Sequence, residues 1–293
     1  MATQAAISSA NKGGHNGRKR ALCGSNGILF ASRAALNNSR AVIRWKCEHL
    51  PMTTFDTISS PLPDALVDSA PAKTPQLTTL TGRFVTLLPL DPESHGGSLY
   101  EKSHGEERAS LWRYLFDGPY PNRAAFDARL RQMAASKDPL FFSILDNAFG
   151  APVGYASYMR IEPAHRCIEV GSILFTPALQ RTPGATEAMY LMARRVFEEL
   201  GYRRYEWKCN SLNEPSRRAA LRLGFTFEGI FRQHMIIKGR NRDTAWYAML
   251  DSEWPTRKAH FEQWLSPANF DGEGRQRESL AKMNGLVDRV PGS

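Results

Sequence analysis

Apolar positions between residues 80 and 265 alternate between a period of two and a period of three to four, so the chain reads as strands interleaved with helices. An α/β fold class follows. Residues 83–90 (RFVTLLPL) predict a strand, and residues 93–104 and 122–136 predict helices, the second with Ala125, Phe126, Leu130 and Met133 on one face. Residues 140–146, 153–161 and 167–175 read as three strands, with turn signals at Asn147-Ala148-Phe149-Gly150 and Glu162-Pro163-Ala164. That is the pattern of an antiparallel meander. Residues 185–200 give the strongest helix, with Ala185, Ala188, Met189, Met192, Val196 and Leu200 at helical spacing and Gly201 as the stop. A strand at 205–209, a short helix at 213–223 closed by Gly224, strands at 225–238 and 244–251, and a terminal helix at 254–265 complete the domain.

Composition leaves this picture intact: 293 residues with 42% hydrophobic and 23% charged positions can build a core. No run of about 18 apolar residues predicts a membrane span. The net charge of +9 resembles a nucleic-acid signal until it is divided along the chain. Residues 1–47 hold eight Lys and Arg and no Asp or Glu, which leaves 30 basic and 29 acidic residues for the rest. A neutral body predicts no nucleic-acid partner for the folded part. The acid-free start has the composition of a mitochondrial targeting segment, or of sequence upstream of a true start at Met52. A cytoplasmic protein is expected, with the mitochondrial matrix as the alternative. Pro51, Pro61, Pro63, Pro71 and Pro75 predict a flexible linker. The expected organisation is therefore a basic tail and linker at 1–79, a domain at 80–266 and a loose tail at 267–293. Cys23, Cys47, Cys167 and Cys209 match no metal-ligand or disulfide spacing and read as free thiols, and the scattered histidines predict no metal.

The segment with the clearest chemistry is LQRTPGATEA at residues 179–188, a polar turn between an apolar strand and the longest helix. Thr182 can cap and Pro183 suits the first helical position. The N–H groups that follow point outward at the positive end of the helix, where phosphate binds. Twenty-eight residues after Arg181 comes Cys209, then Asn210-Ser211-Leu212-Asn213-Glu214-Pro215-Ser216 opening a helix that ends in Leu223-Gly224-Phe225.

This combination resembles the GNAT acetyltransferases over residues 80–254, and in particular their Rim-type branch, which acetylates amines such as protein N-termini. Further pieces are Ile168-Glu169-Val170-Gly171, Gly229 and Arg240-Asn241-Arg242-Asp243. The resemblance implies a mixed, mostly antiparallel sheet flanked by helices, splayed where the acetyl-CoA arm enters. It implies acetyl-CoA as co-substrate, a primary amine as acceptor, no metal, direct attack in a ternary complex, and a monomer or homodimer. Carried over by position, Ile173, Leu174 and Phe175 run along the pantetheine arm. Gln180, Arg181, Thr182, Gly184, Ala185 and Thr186 surround the pyrophosphate. Asn213, Ser216 and Arg217 complete the cofactor contacts, and Ser216 would protonate the departing thiolate. Pro183 departs from the family pattern, because it stands where glycine is expected and lacks an N–H; Gly184 is expected to restore the close approach. A catalytically inactive acyl-CoA sensor is the alternative that Pro183 would allow.

Glu169 is the candidate base, since Ile168 and Val170 turn to one strand face and Glu169 with Gly171 to the other. A solvent-facing glutamate is its plain reading; His234 and Tyr155 stand in reserve. Asn213 and Ser216 equally suit a helix cap, and Arg217, Arg218 and Arg222 a solvated helix face. Trp112, Tyr114, Phe116 and Tyr120 either line the acceptor pocket or form a packed cluster.

Overall fold

The computed structural model describes residues 66–286, so the expectations for residues 1–65 and 287–293 lie outside the described residues. Eight strands form one sheet: β1 (Leu80–Thr81), β2 (Val85–Pro89), β3 (Leu140–Asp146), β4 (Ala151–Glu162), β5 (Cys167–Phe175), β6 (Arg204–Asn210), β7 (Thr226–Ile237) and β8 (Arg240–Leu250). Their spatial order is β1-β2-β3-β4-β5-β6-β8-β7. Every neighbouring pair is antiparallel except β5 with β6. The parallel pair is joined through α3 (Pro183–Arg194) and a π turn at Arg195–Glu199. The other helices are α1 (Pro92–Ser103), α2 (Arg123–Ala135), α4 (Glu214–Arg222), α5 (Trp254–Leu265) and α6 (Leu280–Met283).

Alternation along the strands divides the core in two. In β3, Phe142 and Ile144 face a large cluster with Tyr158, Val170, Met192, Trp207, Tyr247 and Phe261, covered by α3, α4 and α5. Phe141 faces a smaller one with Leu99, Phe126, Leu130, Tyr155 and Leu174 under α1 and α2. Trp112 and Tyr120 belong to that second cluster, their rings 5.6 Å apart, so these two aromatics pack rather than line an open pocket. Beyond Leu174 the second sheet face is polar.

A buried carboxylate fixes α3 to the sheet. Glu187 accepts the N–H groups of Arg83 at 2.8 Å, Phe84 at 2.6 Å and Val85 at 2.9 Å, which satisfies the turn between β1 and β2.

Two boundaries differ from expectation. Residues 66–79 are not all linker: Ala72 is buried, its N–H bonds Pro163, the Lys73 N–H bonds Leu200, and Arg195 Nη2 holds the Gln76 carbonyl. At the other end Leu280 is fully buried, and Asn269 bridges the Trp264 and Glu278 carbonyls, so residues 267–286 belong to the domain. Both segments are polar overall and are held by isolated contacts, which leave no hydrophobic period in the sequence.

Two histidines near α1 act as hydrogen-bond acceptors and must be neutral. His95 Nδ1 accepts the Asp91 N–H at 3.0 Å, and His104 Nε2 accepts the Tyr120 N–H at 3.2 Å. Burial pushes both pKa values below the ordinary 6.5. Protons therefore bind the unfolded chain first: this contribution is full above about pH 6.5 and is lost as pH falls from there through the folded values. Melting temperatures between pH 8 and 5 should fall across that window, and less so in a His95→Gln, His104→Gln variant. An equal fall in both proteins would contradict the assignment.

Candidate active site

The parallel ladder of β5 and β6 is short. It pairs Cys167 with Arg204 through Val170 with Trp207, and then the strands part. The cause lies on the other side of β5. Tyr155 pairs with Leu174 and Ser157 with Gly171, so Ala156 alone faces two residues, one of which, Ser172, has φ +48°. Such a bulge bends the strand. The Thr176 N–H bonds the Val153 carbonyl at 3.1 Å, and alternation then turns Leu174 toward β4 as well, leaving the N–H and C=O groups of Ile173 and Phe175 on the free edge. Leu174 differs from its neighbours: it pairs with Tyr155 of β4 and its side chain is buried in the second cluster. Gln180 donates its side-chain amide to the Phe175 carbonyl at 2.9 Å.

The polar turn stands at the far end of this gap. Thr182 caps α3 by accepting the Ala185 N–H at 3.3 Å and donates to the Leu179 carbonyl at 2.7 Å. Leu179, Gln180 and Thr182 spend their N–H groups inside the turn, and Pro183 has none. Among the described residues, Arg181, Gly184 and Thr186 keep unpartnered N–H groups, Arg181 with φ +61°. Gly184 also has a packing reason. A Cβ there would lie 2.8 Å from Val85 Cγ1, so glycine lets α3 sit close on β2. The Thr186 hydroxyl accepts from Arg222 Nη1 at 3.0 Å, and burial lowers the pKa of that guanidinium.

Across the gap, Asn213 caps α4, its Oδ1 accepting the Ser216 N–H at 3.2 Å. Ser216 Oγ accepts the Trp207 indole N–H at 3.0 Å, so its own hydrogen is the one it can donate, with the Cys209 sulfur as a nearby acceptor. Arg217 turns to the Tyr247 hydroxyl at 3.2 Å and the Ser211 carbonyl rather than toward the turn of α3. Burial raises the Tyr247 pKa, so this hydroxyl is a second protonated group at the gap, one the sequence motifs missed.

On the polar face, Glu169 is almost fully buried rather than solvent-facing. Its Oε2 takes Arg160 Nη1 at 2.5 Å and Lys208 Nζ at 3.1 Å, and Lys208 also meets Glu206 at 2.6 Å. Lys208 is itself buried, 3.9 Å from the centre of the Trp246 ring. Glu169 Oε1 stays beside Gly171, without a partner among the described residues. Lys208 went unnoticed in the sequence because a lysine on a strand reads as an exposed one; only the parallel pairing brings it to Glu169. Of the reserve bases, Tyr155 is buried with its pKa pushed far up, and His234 is exposed, bonded to Thr244 and shifted down by burial and nearby cations.

A mostly antiparallel sheet with one parallel pair that parts beside a capped helix start defines an acyl-CoA-dependent acetyltransferase fold. The chain matches the Acetyltransferase (GNAT) domain family over residues 85–226. A GCN5-related N-acetyltransferase from Brucella melitensis is 48% identical, over 74% of this chain and 98% of that one, with a TM-score of 0.72. A probable GNAT acetyltransferase from Chromobacterium violaceum is 39% identical, over 67% and 98%, at 0.62. The protein belongs to the GNAT family and is an N-acetyltransferase. RimL, a ribosomal L7/L12 alpha-N-protein acetyltransferase in complex with coenzyme A, shares the fold alone, at 19% identity, 59% of this chain, 98% of that one, and a TM-score of 0.51. No curated protein matches the sequence.

Gly184→Ala tests the packing reason given for that glycine. It should lower stability by about 1–3 kcal/mol in denaturant melts without any ligand, the range for overpacking. A variant of parental stability that only loses coenzyme A affinity would restore the phosphate-approach reading instead.

Proposed function

We propose that the protein transfers acetyl from acetyl-CoA to a primary amine by direct attack in a ternary complex, in the manner of the Rim-type branch. The observation that carries this reading is the gap beyond Val170 and Trp207, with the N–H groups of Ile173 and Phe175 turned into it. A free strand edge between two helix starts fits an extended amide-bearing arm, because it offers donors and acceptors at strand spacing. The turn at Gln180–Ala185 takes the pyrophosphate through the free N–H groups of Arg181 and Gly184, reinforced by the end of α3. Pro183 does not disqualify it, since the N–H a proline lacks at a first helical position is one that the helix leaves unused.

Acetyl-CoA supplies an acetyl group activated as a thioester; the rest of the chemistry falls to the chain. Backbone N–H groups on the free edge polarise the thioester carbonyl. Glu169 Oε1, the oxygen that neither Arg160 nor Lys208 occupies, receives the amine proton directly or through one water. The cations around it favour the neutral, attacking form of the amine over its ammonium. Ser216 donates its hydrogen to the departing thiolate, and the Asn213 amide nitrogen, unused by the cap, holds the arm.

The described domain should bind acetyl-CoA by calorimetry and release coenzyme A thiol when a suitable amine is added; absence of binding would overturn the reading. Glu169→Gln should lower kcat by about 10²-fold and leave acetyl-CoA affinity close to the parent value. An unchanged kcat would make Glu169 a structural partner of Lys208.

A further inference from the structure

One cation on the polar face has nothing to neutralise it. Arg242, at the start of β8, retains 6% of its surface exposed, yet among the described residues no carboxylate lies within ion-pair distance and no acceptor takes any of its five N–H groups. The Phe116 ring lies 5.0 Å from its guanidinium carbon. Nε is sealed from solvent and unpartnered, so only the terminal nitrogens reach outward. Burial lowers its pKa, and the nearest acid field comes from Glu169, whose Oε2 already serves Arg160 and Lys208.

The charges on this face do not close. Glu169, Glu206 and Glu228 are met by Arg160, Lys208 and Arg204, all within 3.1 Å. Arg242 is the fourth cation and has no carboxylate left. A buried guanidinium in this state is costly, and evolved proteins keep such a group where a ligand completes it. Its fork of donors matches a carboxylate in two-point contact.

Its position says which ligand. Arg242, Thr244 and Trp246 share one face of β8, and Trp246 lies over Lys208, which holds Glu169. Phe116 has Arg242 on its ring and also borders a small cavity of about 20 Å³ with Asp117, Arg129, Tyr155 and Ser172, the bulge residue where the sheet parts. Phe116 thus touches both the lone cation and the cavity beside the bulge.

We propose that the acceptor amine carries a carboxylate, which Arg242 binds while the amine is presented to Glu169. This deepens the amine-acetylation reading and rests on it. Two sources share the chemistry, a free amino acid and a peptide N-terminus with a nearby acidic side chain. An added anion also offsets the excess positive charge that would otherwise repel an incoming ammonium.

The test uses acceptors in matched pairs: amino acids against their primary amides, and short peptides with aspartate against asparagine at the second position. Thiol release should favour the carboxylate member by at least tenfold in kcat/KM in one of the two sets, which identifies the source. Arg242→Met should reduce that preference to less than threefold through the acceptor KM, with the KM for acetyl-CoA unchanged. Equal rates within every pair, or a preference that survives Arg242→Met, would overturn the proposal.

A second arm needs no turnover. Without ligand, Arg242→Met should melt at least as high as the parent, because it removes an uncompensated charge; a fall of several degrees would show a structural post and overturn the proposal. The carboxylate members should raise the melting temperature of the parent and not of the variant. If no amine is acetylated while this shift is present, the amine-transfer reading fails and the anion site stands; if the shift is absent, the site itself fails.

Discussion

Everything in the site depends on where β5 stops pairing with β6. Four residue pairs, Cys167 with Arg204 through Val170 with Trp207, hold the two halves of the sheet together, and the strands then diverge. A strand edge left bare inside a protein carries backbone groups that need partners. The divergence is maintained because it is built from both sides. The bulge at Ala156, with Ser172 in the left-handed region, swings β5 away, while β6 remains paired to β8 as far as Asn210. Glu169 and Lys208 join β5 to β6 at the apex with a buried ion pair.

The two faces of the sheet differ in character. The face under α3, α4 and α5 is apolar, and the gap opens through it to the capped starts of α3 and α4. The opposite face bears paired charges on β4, β5, β6 and β7, and on β8 an arginine that has no ion-pair partner among the described residues. Breaking one member of such a buried set strands the others, so its residues are coupled and single substitutions there should not add. In the proposed reading the division of labour is physical: backbone groups and helix ends face the cofactor, and charged side chains face the acceptor.

How much of this was legible in the sequence depends on the range of each interaction. β3, β5 and α5 occur with the expected bounds, because each is an apolar stretch closed by local turn or stop signals. The Thr182 cap and the Asn213 cap were readable for the same local reason. What failed was long-range. The role of Gly184 depends on Val85, a hundred residues earlier, and the charge partners of Glu169 come from a β-bulge at Arg160 and from the neighbouring strand. Segments 66–79 and 267–286 read as loose because their anchors, Ala72, Gln76, Asn269 and Leu280, are single contacts without a period.

The claim at the centre is that Ile173 and Phe175 offer their backbone to the cofactor while Leu174 does not. Residue-resolved amide hydrogen exchange by NMR, with and without coenzyme A, reads those three N–H groups directly. The account predicts rapid exchange at 173 and 175 in the free protein and strong protection with coenzyme A, with 174 protected in both states. Unchanged exchange at 173 and 175 on saturation with coenzyme A would contradict it.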